Sequence, residues 1–129
     1  IHAPDCRIHV VEPEGSDALA RSLAAGEHLR CESPKSEADG LHPQAVGSGN
    51  WQVLAAAGVI SHRIQDSDLL GSLRFLRNQM GDGAEPSGAC SVTPLLTSSL
   101  KSSDRPGVHV AVVSGGNVGT SRLQKLLST

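Results

Sequence analysis

Short apolar runs and amphipathic stretches alternate along this chain, and their two periods predict different elements. Residues 8–11, Ile8-His9-Val10-Val11, read as a short strand ended by Glu12-Pro13. Asp17 stands at a helix-cap position ahead of Leu19, Ala20, Leu23 and Ala24, and Gly26 stops that helix after Ala25. Residues 31–40 are polar, contain Pro34 and predict a loop. A helix over residues 51–57 stops at Gly58, and residues 59–64 give a second strand. Asp66 or Ser67 caps a helix through Met80, with Leu69, Leu73, Leu76 and Met80 at helical spacing, and Gly81-Asp82-Gly83 breaks it. Residues 87–100 predict a helix with Pro94 inside it; a proline there costs about 3 kcal/mol unless it falls in the first turn or at a break. Residues 107–113 predict the central strand and residues 121–127 a last short helix. The resulting order is strand, helix, helix, strand, helix, helix, strand, helix. It argues for an α/β fold, helices layered on a largely parallel sheet, in one unit over residues 1–129.

Composition narrows the function. A chain of 129 residues is enough for one modest core. Only 2% of residues are aromatic (Trp51 and Phe75), so Leu, Val, Ile and Ala must build that core. A net charge of -2, with no basic run and no aromatic platform, argues against nucleic-acid binding. No apolar run is long enough to predict a membrane span. Cys6, Cys31 and Cys90 are odd in number and widely spaced, which predicts free thiols in a reduced, cytoplasmic compartment. The start lacks the pattern of a signal peptide, and a chain beginning with Ile1 is expected to have been processed, trimmed or cut from something longer.

The strongest chemical signal is Val108-His109-Val110-Ala111-Val112-Val113 followed by Ser114-Gly115-Gly116-Asn117. A buried parallel strand delivers ligand-binding groups at its carboxyl end. Two glycines let backbone approach a flat ligand, and Ser114 offers a neutral hydroxyl. Spacing alone favours reading this stretch as a strand-to-helix turn. By the same measure Glu85 is a carboxylate near a helix start, Asp39-Gly40 a turn pair, and Glu12 a surface carboxylate at a strand end. The six histidines show no zinc spacing, and His109, within the apolar strand, reads as a packed core residue. Gly47-Ser48-Gly49-Asn50 lacks both a preceding strand and the following lysine of a phosphate loop.

Order and spacing together say more. Val11-Glu12-Pro13-Glu14-Gly15, Ala38-Asp39-Gly40-Leu41, Trp51, Ala84-Glu85-Pro86-Ser87-Gly88-Ala89 and Val112-Val113-Ser114-Gly115-Gly116-Asn117-Val118 follow one another along nearly the whole chain. In this arrangement the chain resembles the C-terminal part of the fold-type II pyridoxal-phosphate-dependent serine/threonine dehydratases and serine racemases. The resemblance implies that Ser114 hydrogen-bonds the cofactor's pyridine nitrogen, that Asn117 supports the loop around it, that Glu85 lies close to the ring, and that Gly40 lines the pocket by its backbone. A hydroxyl partner leaves the ring nitrogen largely unprotonated, a weaker electron sink suited to β-elimination. Glu12 resembles a carboxylate of a divalent-cation site that also uses the Ser16 carbonyl. The second carboxylate position of that site is Ala18 here, so Mg²⁺ is not expected.

Two parts of the family pattern are not in these residues. One is the Ser-x-Lys-x-Arg-Gly segment with the Schiff-base lysine, and the other is the glycine-rich phosphate loop. The lysines are Lys35, Lys101 and Lys125, none in that context. Gly81-Asp82-Gly83 stands where the family carries an apolar strand leading to the glutamate. The expectation is therefore the C-terminal portion of an amino-acid lyase that converts a small hydroxy amino acid to a 2-oxo acid and ammonia. It would be inactive alone and be completed by an N-terminal part, with a homodimer as a possible assembly. The alternatives are a serine racemase fragment and a non-catalytic α/β binding or assembly module.

Overall fold

Strands β1 (His9–Pro13) and β2 (Ile60–Ile64) pair in parallel, with His9 opposite Ile60 and Pro13 opposite Ile64. The computed structural model describes residues 5–81, 83–97, 100 and 107–128. A parallel pair needs a crossover. Helix α1 (Ala18–Ala25), a single 3-10 turn (Asp39–Leu41) and helix α2 (Ser48–Ala56) supply it. Helix α3 (Asp66–Met80), two one-turn helices, α4 (Pro86–Ala89) and α5 (Thr93–Leu96), and helix α6 (Thr120–Ser128) follow β2. The fold is α/β, helices layered on a parallel sheet.

The start of α1 is built differently from the sequence expectation. Asp17 occupies the cap position but makes no capping bond. Its buried carboxylate instead meets Arg21 at 2.5 Å and Arg63 at 3.0 Å. The first-turn amides are satisfied by Glu12, which accepts from Leu19 N–H at 2.9 Å and Ala20 N–H at 2.8 Å. A carboxylate there also complements the positive end of the helix. Gly26 ends α1 at φ 71°, a left-handed conformation that glycine adopts without a Cβ penalty.

Helix α3 carries the core. Leu69, Leu73 and Leu76 are buried and pack with Ile64, Ala84, Ala89, Cys90, Val92 and Leu123. Met80, expected on the same face, is 61% exposed because the last turn of α3 runs past the core. Leu123 and Leu126 bury the inner face of α6.

Two expectations are corrected. The helix predicted over residues 87–100 is broken into α4 and α5 within residues 86–96, and residues 98 and 99 lie outside the described residues. Each one-turn helix has a proline in its first turn, so Pro94 sits where its missing N–H has no intrahelical partner to lose. The second correction concerns residues 107–113, which form no strand. Val108, Val110 and Val112 are 92%, 82% and 70% exposed, while Ala111 and Val113 pack against the core. Alternation supplies strand-forming side chains, but a strand also needs a ladder, and among the described residues only β1 and β2 pair. His109 is exposed for the same reason rather than packed.

Candidate functional site

The short segment 86–91 acts as a post between two walls. On one side the Gly40 N–H donates to Ser87 Oγ at 3.0 Å. On the other, Ser91 Oγ donates to the Val112 carbonyl at 2.8 Å, which fixes the approach to Ser114. Ser87 belongs to α4, and Ser91 lies just past its end. Between them lies Gly88, where a Cβ would overlap the Ser114 carbonyl oxygen and come within 3.0 Å of the Gly115 oxygen. Only a residue without a side chain admits that approach.

Glu85 completes the cluster. Its carboxylate packs on Gly115, whose φ of 87° belongs to glycine, and a Cβ built there would lie 2.9 Å from Glu85 Cδ. The Gly83 carbonyl stands 2.8 Å from the corresponding position at Gly116. The structure thus brings Gly40, Glu85 and the Ser114 loop together, although they are far apart in sequence. Ser114 and Asn117 are both exposed, and the Ser114 hydroxyl is bonded by none of the described residues. Glu12 lies apart from this cluster, with both carboxylate oxygens on the start of α1. Burial pushes its carboxyl above the ordinary 4.5, against the lowering effect of those two amides.

Several contributors were not singled out for the site in the sequence. Arg122 of α6 pairs with the Asp39 carboxylate and donates to the Glu37 carbonyl at 3.0 Å. The guanidinium holds the Asp39 carboxyl below its ordinary value of 3.8. Asp66, at the start of α3, accepts from Ser36 Oγ at 2.5 Å and from Glu37 N–H at 3.2 Å. Neither long-range tie has a local sequence signal. The same holds for His9 and His62, whose rings stack with centroids 5.1 Å apart and ring nitrogens 2.8 Å apart. The β1–β2 register creates that pair, and burial followed by the neighbouring His9 lowers the His62 pKa. The Cys90 thiol, buried behind α4, is pushed up to about 12 and is therefore not a nucleophile at neutral pH.

The chain matches the pyridoxal-phosphate-dependent enzyme family over residues 2–116. It is 29% identical over 125 residues to an L-threo-3-hydroxyaspartate ammonia-lyase from Pseudomonas sp, covering 97% of this chain and 39% of that protein. It is 28% identical over 127 residues to the serine racemase of Schizosaccharomyces pombe, covering 98% of this chain and 38% of that protein. Among solved structures, maize serine racemase matches with a TM-score of 0.81 at 28% identity, over 97% of this chain and 39% of that one. The T.th. threonine deaminase matches with a TM-score of 0.81 at 29% identity, over 92% of this chain and 41% of that one. The chain thus spans 38% to 41% of the length of these relatives.

Proposed function

The chain belongs to the fold-type II pyridoxal-phosphate-dependent enzymes of the threonine dehydratase and serine racemase kind, and from that premise we propose that it forms the ring-nitrogen side of the cofactor site of an amino-acid ammonia-lyase. The observation that carries this reading is the convergence of Gly40, Glu85 and the Ser114 loop on the post at Ser87 and Gly88. A stripped-down backbone on one side and an exposed hydroxyl on the other suit a flat, polar-edged ring.

Pyridoxal phosphate, when bound, supplies an electron sink for charge developing at the substrate's Cα. The chain's own residues do the rest of what is assigned here. Ser114, a neutral hydroxyl, would hold the ring nitrogen by a hydrogen bond. Gly115 and Gly116 keep side chains out of the ring's way, and Asn117 supports the turn. Glu85 packs on Gly115 and would stand at the ring's edge, and Gly40 would offer bare backbone beside it. The lysine that anchors the cofactor and moves the Cα proton, together with the phosphate loop, would come from an N-terminal part. That arrangement makes this chain the C-terminal portion of a cytoplasmic enzyme, inactive alone, with a small hydroxy amino acid as substrate and a homodimer as its assembly. No nucleic acid, membrane or Mg²⁺ enters this reading.

Racemisation is the second reading, favoured by near-equal similarity to the lyase and racemase relatives, at 29% and 28% identity. The two chemistries share this face of the ring. The test is turnover of L-serine and L-threonine by the protein carrying this chain, with ammonia and D-serine both assayed. Ammonia release that falls in Ser114→Leu supports the lyase reading, and D-serine as the main product transfers it to the racemase. Equal turnover by Ser114→Leu removes the role given to Ser114. A stable protein without affinity for pyridoxal phosphate leaves a non-catalytic module.

A further inference from the structure

Loop 36–41 forms one wall of the site, and three ties hold it. Asp66 takes its beginning through the Ser36 hydroxyl and the Glu37 amide. Ser87 takes its end through the Gly40 amide. The third tie comes from Arg122, in the first turn of α6, the helix that directly follows the Ser114 loop. One guanidinium nitrogen pairs with the Asp39 carboxylate and the other donates to the Glu37 carbonyl at 3.0 Å. Buried Leu123, the next residue, sits in the same core cluster as Leu69, Leu73 and Leu76 of α3, so Arg122 projects from an anchored turn.

We infer that Arg122 is a positioning residue for the cofactor site: it sets the distance between the Gly40 wall and the Ser114 loop. This rests on the cofactor reading above. Both walls already touch the segment at residues 86–91 through Gly40–Ser87 and Ser91–Val112. Arg122 closes the circuit on the far side, so neither wall can swing without breaking its two bonds. A planar fork serves this role better than an ammonium, because two acceptors on one loop must be held at a fixed angle and a lysine can keep only one of them at a time. The pair is partly exposed, with side chains 39% and 57% accessible, so its contribution to global stability is small. Its effect is on the local opening of the loop.

The test is amide hydrogen exchange in the protein carrying this chain, compared among wild type, Arg122→Met and Arg122→Lys, with pyridoxal phosphate titrated into each. Arg122→Met is expected to speed exchange at Gly40 and Leu41 about tenfold, the size of one lost charge-assisted bond, with α3 amides unchanged. Arg122→Lys is expected to recover part of that protection, and cofactor affinity is expected to follow the order wild type, Lys, Met. Unchanged exchange at Gly40 and Leu41 overturns the inference, as does equal loosening of α3 or a lysine variant no better than methionine. Loosening without any change in cofactor affinity also overturns it. A wild-type protein that does not bind pyridoxal phosphate overturns the cofactor reading instead, and the exchange data still decide whether Arg122 holds the loop.

Discussion

The Gly40 amide donates to the Ser87 hydroxyl at 3.0 Å across 47 residues of sequence. This bond joins two otherwise ordinary turns into one side of the cluster. Removing it in Ser87→Ala is expected to destabilise the protein by about 1 kcal/mol, the net worth of one such bond. Urea unfolding should show a lower midpoint with an unchanged slope.

Gly88→Ala is expected to do more damage. Its Cβ would overlap the Ser114 carbonyl oxygen, and backbone cannot move aside as a side chain can. Overpacking of this kind costs about 1–3 kcal/mol. Gly49→Ala is the matched control, because nothing lies within 4 Å of a Cβ at that position in α2. Alanine there should stabilise the helix by up to about 1 kcal/mol. Thermal unfolding of the two variants should shift in opposite directions.

How much of this was legible in the sequence depends on whether the cause was local. Helix α3 was readable because Leu69, Leu73 and Leu76 repeat at helical spacing and all three are buried. Pro94 was read as a cost inside one helix over residues 87–100, whereas the structure breaks that helix and places Pro94 in the first turn of α5. The segment at 107–113 has the alternation of a strand, yet a ladder depends on a partner that no local pattern encodes. Asp17 has the right residue type to cap α1, but Arg21 and Arg63 claim its carboxylate and Glu12 caps instead. In the site, Gly40, Glu85 and Ser114 were named from motif order, and the structure brings their segments together. Arg122 was not named, and Asp66 was named only as a helix cap, because side chains that tie distant loops leave no periodic signal.

Glu12 should give a distinctive pH dependence. Burial raises its folded-state pKa above the ordinary 4.5. In the interval between those two values the folded state binds more protons than the unfolded state, so stability falls as pH rises through it. The contribution is fully present below the ordinary value and lost above the folded one. Glu12→Gln, which cannot ionise, should lack this slope, so its stability relative to wild type should improve as pH rises through the window. Guanidinium unfolding of both proteins between pH 4 and 7 checks the sign.

Asp39 should show the opposite slope. Its carboxyl is held below 3.8 by Arg122, so its ion pair persists above the ordinary value and is lost as pH falls through the folded one. Exchange at Gly40, corrected for its intrinsic pH dependence, should stay slow until the pH drops below the usual aspartate range. In Arg122→Met the acid-induced rise should disappear, because the tie is already absent.

The central claim is that Ser114 faces the cofactor's ring nitrogen, and the affinity of the protein carrying this chain for pyridoxal phosphate, before and after Ser114→Leu, tests it most directly. Loss of a bonded hydroxyl in favour of an apolar side chain should weaken binding by about tenfold or more. Gly49→Ala, remote from the cluster, should leave the affinity unchanged. Equal affinity of wild type and Ser114→Leu would contradict the account.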